Sequence, residues 1–164
     1  MSIQNNWCVA VKLPVFSGLG DQHSGVTYQC LKNGMTPEKA LHVSLYVAKG
    51  LTKKQHDQIV QMFDGFEANV PKLPAIRLPL QRFASKCLVI HLDRVGEVSE
   101  QIRGHQQMVG DIAKDITGKP HMYSPFRPHI SVAKLSSDAG KLPQISLNQE
   151  VVFGRGLSVA SWQE

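Results

Sequence analysis

Large apolar residues recur at every second position in the first readable segment of the chain. Trp7, Val9, Val11 and Leu13 share one face and Cys8, Ala10 and Lys12 the other, a period of two that predicts a strand ended by Pro14. Leu41 to Ala48 is an apolar run rich in β-branched residues and predicts a second strand. At Thr52 the period changes. Thr52 and Gln55 have the spacing of a capping box, and Ile59, Met62, Phe63 and Phe66 follow at helical intervals. Ile76, Leu78 and Leu80 form another strand face, with Pro79 pointing to an edge or a bulge. Lys86 to Leu92 predicts the next strand, and the residues between read as a hairpin turn. A longer helix carries Val98, Ile102, Val109, Ile112 and Ile116 on one side. Strands are then expected from Arg127 to Leu135, near Glu150 to Phe153, and from Leu157 to Ser161. Thr36-Pro37 reads as the start of a short helix, and the glycine-rich stretch Gly18 to Gly25 as a surface loop.

The resulting order, β–β–α–β–β–α–β–β–β, places one long helix after each of two strand groups. It predicts a single α+β domain over residues 1–164, with two small lobes facing across a groove, each a sheet backed by its own helix. The 164 residues, 42% hydrophobic, suffice for one domain with a real core. Cys8, Cys30 and Cys87 are widely spaced with no CxxC, which fits a reducing compartment. No span resembles a membrane helix or a signal peptide, so a cytoplasmic location is expected, the host cytoplasm for a viral protein. The net charge of +5 is scattered, which favours a short phosphate-bearing ligand over a long duplex.

The chemistry lies in two matched tripeptides, His42-Val43-Ser44 and His129-Ile130-Ser131, about half the chain apart. On a strand, residues two apart share a face, so each His stands with its Ser while Val43 or Ile130 points to the core. Two such strands side by side supply two imidazoles and two hydroxyls. Near neutrality one ring can accept a proton while the other donates one, and the hydroxyls can hold phosphate oxygens. A metal centre is disfavoured, since no HExxH, HxH or carboxylate pair at ligand spacing occurs. Nucleophilic Ser chemistry is disfavoured too, because no GxSxG elbow occurs. His56 and His105 read as solvated helix faces, and His91 as an ordinary strand residue. His121, close to the second motif, is a candidate to line the pocket. Lys49 and Lys134 fall on the opposite face if alternation continues.

The two motifs, with Phe126-Arg127-Pro128-His129 leading into the second, resemble the 2H phosphoesterase superfamily of LigT-like ligases and cyclic phosphodiesterases. The resemblance implies a bilobal, pseudo-twofold α+β fold with two small antiparallel sheets flanking a central groove and helices outside. It also implies a metal-independent, cofactor-free site with His42 and His129 as the acid–base pair and Ser44 and Ser131 as the phosphate-binding hydroxyls. A narrower likeness, through Val9 to Leu13, Leu41 to Tyr46, Cys87 to Asp93 and Phe126 to Val132, is to phage anti-CBASS nucleases that degrade cyclic oligonucleotide signals. Trp162 lies at a distance beyond the second motif comparable to their base-stacking Trp. Trp7, Tyr46, Tyr123 and Trp162 are candidates to stack on bases, Tyr46 by falling on the His42 face, and Arg127 is a candidate phosphate ligand. The expected partner is a small nucleotide or oligonucleotide, with neither a membrane nor an obligate protein partner. The alternative is a non-catalytic nucleotide- or RNA-binding protein using the same pocket.

Overall fold

A computed structural model describes residues 5–17, 36–37, 40–73, 78–79, 81–83, 87–93, 95–123, 125–134, 146–147 and 151–164. The Gly18 to Gly25 stretch, Cys30, Ile76 and Leu80 lie outside them. The elements in chain order are β1 (Trp7–Ser17), β2 (Thr36–Pro37), β3 (His42–Leu51), α1 (Lys53–Phe63), β4 (Leu78–Pro79), β5 (Gln81–Phe83) and β6 (Cys87–His91). They continue with α2 (Glu97–Thr117), β7 (His129–Lys134), β8 (Ser146–Leu147), β9 (Val152–Phe153) and β10 (Ser158–Gln163).

The alternation in β1 holds, and Val9, Val11 and Leu13 are fully buried. The strand nevertheless runs on through Pro14 to Ser17. Pro14 lacks only a donor. Its carbonyl still accepts from the Gly154 amide at 2.7 Å, where β1 exchanges β10 for β9 as its neighbour.

Two antiparallel sheets carry the motifs. The first has the order β10-β1-β3, with β9 also on β1, and the second the order β2-β7-β6-β5. Thus Thr36-Pro37 is not a helix start but an edge strand on β7, and Gln81–Phe83 is a strand of a β5–β6 hairpin rather than its turn. The motif strands β3 and β7 lie against one another where the sheets meet.

The Thr52–Gln55 capping box forms as expected, with the Gln55 amide donating to Thr52 Oγ1 at 3.1 Å and the Thr52 amide donating to Gln55 Oε1 at 3.0 Å. Ile59 and Phe63 bury the α1 stripe, whereas Met62 is 43% exposed. In α2, Val98, Ile102, Val109, Ala113 and Thr117 are buried. Among the described residues the main strand contact of α2 is with β3, and it also packs on α1. Its 21 residues span about 31 Å, enough to carry the chain from β6 across to the first sheet. Both described helices therefore cover the first sheet, while Ile90, Ile130 and Ala133 of the second join the same buried core. Gly118, left-handed at φ 71°, ends α2 and turns the chain toward the second motif. No helix among the described residues is long and apolar enough to cross a membrane.

Candidate active site

On β3, Val43 is fully buried while His42 and Ser44 are half-buried on the other face. On β7, Ile130 is fully buried and His129 and Ser131 are half-buried. Each imidazole is oriented in the same way. His42 Nδ1 bonds the Ala40 carbonyl at 3.0 Å, and His129 Nδ1 bonds the Arg127 carbonyl at 2.6 Å. A carbonyl oxygen only accepts, so Nδ1 carries the hydrogen in both rings and Nε2 becomes the atom that exchanges protons. In each case the acceptor carbonyl belongs to the second residue before the histidine.

The symmetry continues past the motifs. The pairing of β1 with β3 moves from Lys12↔Ser44 to Val11↔Tyr46, a register shift at Leu45. That of β6 with β7 moves from Val89↔Ser131 to Leu88↔Ala133, a register shift at Val132. Each motif strand thus bulges at the residue after its Ser, and every later side chain changes face. This corrects the placement of Tyr46. It is fully buried on the core face, its hydroxyl bonded to Thr117 Oγ1 and the Lys119 carbonyl, each at 2.8 Å, and offers no surface to a base. The same shifts bring Lys49 and Lys134 onto the motif face, where Lys49 pairs with Glu164 at 2.8 Å.

The remaining candidates separate by face. Trp7 lies on the covered side of the first sheet, stacked on His56 of α1 with ring centroids 4.4 Å apart, at the far end of β1 from the motif level. It belongs to the packing between sheet and helix, not to the groove. His56 is not a solvated residue either: its side chain is 12% exposed and bonds Ser161 Oγ at 2.8 Å. Trp162 pairs with Cys8 on the motif face and is 37% exposed. It stands four residues along β1 from the Ser44 level, roughly 13 Å away. Tyr123 is 55% exposed and, with Gln107, Lys114, His121 and Phe126, lines an open cavity of about 420 Å³ beside α2. Neither motif lines that cavity, so the site is defined by strand register and hydrogen bonds. Arg127 is exposed, and its carbonyl is the group that holds His129.

Three residues enter the picture that the sequence reading did not assign to the site or left as a candidate only. Lys12, half-buried, lies directly opposite both Ser44 and Ser158, a cation in the row of the first motif hydroxyl. The alternation of β1 had put Lys12 on the uncovered face; what it lacked was the identity of the neighbouring strands. His91 lies directly opposite His129, with ring centroids 6.4 Å apart. His121 accepts the Val47 amide on Nδ1 at 3.0 Å, the reverse of the motif rings, so its neutral form carries the hydrogen on Nε2. Burial, then the field of His129, holds His121 below the usual histidine range. Burial likewise holds His129 low, with the Arg127 carbonyl opposing that, His91 adding to it and Asp93 opposing it.

The sequence matches no family model, and no curated protein matches it. The fold does have solved counterparts. Over 98% of its length and 88% of the other's, the chain is similar to the crystal structure of a phosphoesterase, with TM-score 0.59 and 14% identity. It is similar to E. coli LigT complexed with NADP+ over 99% of this chain and 98% of that one, with TM-score 0.54 and 17% identity. The LigT complex with 3′-AMP gives 98% of each chain, TM-score 0.53 and 17% identity. The fold is thus the LigT-like α+β fold of 2H phosphoesterases.

Proposed function

We propose that this chain is a 2H-type phosphodiesterase that cleaves a small RNA-like substrate by two-histidine acid–base catalysis without a metal. The observation that carries the proposal is the matched pair of imidazoles: two rings on adjoining strands, each with Nδ1–H fixed by a carbonyl and each with a hydroxyl two residues on. One Nε2 takes the proton of the attacking water or ribose 2′-hydroxyl as its oxygen bonds to phosphorus. The other gives its proton to the oxygen whose bond to phosphorus breaks. Ser44, Ser131 and Lys12 hold the non-bridging oxygens, where charge stays through the transition state. Fold likeness to a phosphoesterase, and to a LigT holding NADP+ and 3′-AMP, supports a nucleotide substrate. Within that class the candidates are a 2′,3′-cyclic phosphate, a 2′–5′ linkage and a cyclic oligonucleotide, including the immune signals that anti-CBASS nucleases degrade. Among the described residues, Trp162 and Tyr123 are exposed aromatics suited to stack on its bases.

The test is a panel of these three substrate classes incubated in EDTA between pH 5 and 9. The proposal expects cleavage of at least one class in the chelator with a bell-shaped rate profile. Binding without cleavage across the panel would leave the nucleotide-binding alternative, and cleavage abolished by EDTA would refute the metal-free mechanism.

A further inference from the structure

The two motif rings share their own geometry but not their neighbours. Opposite His42 on β1 stands Pro14, which has no ionisable group. Opposite His129 on β6 stands His91, and directly opposed side chains in an antiparallel pair are within direct reach of each other. His91 Nδ1 in turn lies 3.7 Å from Asp93 Oδ1. The backbone holds this segment in place. The Leu92 amide donates to the Pro128 carbonyl at 2.8 Å, next to His129, and the Leu92 carbonyl accepts the buried Ser99 hydroxyl at the start of α2. His91 and Asp93 flank Leu92 on either side, so both are tied to the position of the second motif.

We propose that His91, directly opposite His129 across the β6–β7 pair, is a positioning residue that biases His129 toward its neutral form. The inference rests on the phosphodiesterase reading. A positive charge on His91, across the strand from His129, disfavours a second one there. His129 then begins the cycle neutral on Nε2, the form that accepts the proton of the attacking oxygen. Among the described residues, other ionisable groups on elements around His129 include His121 between α2 and β7, Arg127 just before it, Lys134 further along β7, and His42 on β3. Burial acts on His129 in the same direction as His91.

The experiment is a nuclear magnetic resonance titration of the His129 ring in the full chain, for the wild type, His91→Asn and His91→Phe. Asn removes the charge and admits water, whereas Phe removes the charge and keeps the bulk. Both variants should raise the His129 midpoint by about half a pH unit or more, the value for unit charges 6.4 Å apart screened as in water. The acidic limb of the rate profile should move with it. An unmoved midpoint in both variants, or a rise with Asn alone, overturns the inference. A shifted His129 in a protein that cleaves nothing would sustain the coupling and remove the phosphodiesterase reading instead.

Discussion

The halves of the site differ in one respect that their sequences hide. Both motif strands enter by a carbonyl that fixes Nδ1–H, both present His and Ser on one face, and both bulge at the next residue. Yet His42 faces a proline across its strand pair, and His129 faces a histidine backed by a carboxylate. Repetition of a motif builds the two-ring site. The unmatched strand beside each copy, β1 or β6, then differentiates the rings. An acid–base pair works with its two rings in opposite protonation states, and a difference between their neighbours would fix which ring takes which role.

The largest expected effect equalises the halves by deletion. His42→Ala and His129→Ala should each lower kcat/KM roughly 10²–10⁴-fold while leaving nucleotide affinity within a few-fold, measured by steady-state kinetics and calorimetry. Next in size is a leaving-group test of their roles. With a nitrophenyl ester, whose departing oxygen needs no proton, His42→Ala should regain roughly 10-fold or more of its loss and His129→Ala should not. The opposite pattern would exchange the roles assigned from the His91 contrast.

Smaller effects separate site from scaffold. Tyr46→Phe removes a hydroxyl bonded to Thr117 and Lys119, and should cost about 1–2 kcal/mol in denaturant unfolding with KM unchanged. A rise in KM without loss of stability would return Tyr46 to the groove. The smallest is a pH effect. Burial, the largest cause for His105, His121 and His129 alike, holds all three below the ordinary histidine value of about 6.5. Below that value the unfolded chain binds more protons than the folded one. Their contribution is therefore fully present above it and is lost as pH falls toward the folded values. Thermal midpoints should decline between pH 7 and 5, and replacing His121 by Gln should flatten that decline.

These contrasts also mark how far the sequence could be read. The pairing of each His with its Ser on one face was legible because a period of two needs only local backbone geometry. The capping box and the buried stripes of both long helices were legible for the same reason. Tyr46, Lys49 and Lys134 were misplaced because a single extra residue in each motif strand reverses every later face, and neither Leu45 nor Val132 announces a bulge. His91 passed as an ordinary strand residue because its place opposite His129 is set by strand register, a non-local property. Trp7 and Trp162 could be distinguished only once α1 was seen to cover one face of the first sheet. The face that each motif presents was thus open to local pattern, whereas the identity of the residue opposite it was not.

The most direct measurement of whether the two motifs form one site is the double variant His42→Ala/His129→Ala, assayed beside both singles on one cleaved diester. Residues that act as a unit are not additive, so the double variant should be slower than the worse single by no more than about 10-fold. Two independent losses that multiply, or a single variant that retains wild-type turnover, would contradict a composite two-histidine site.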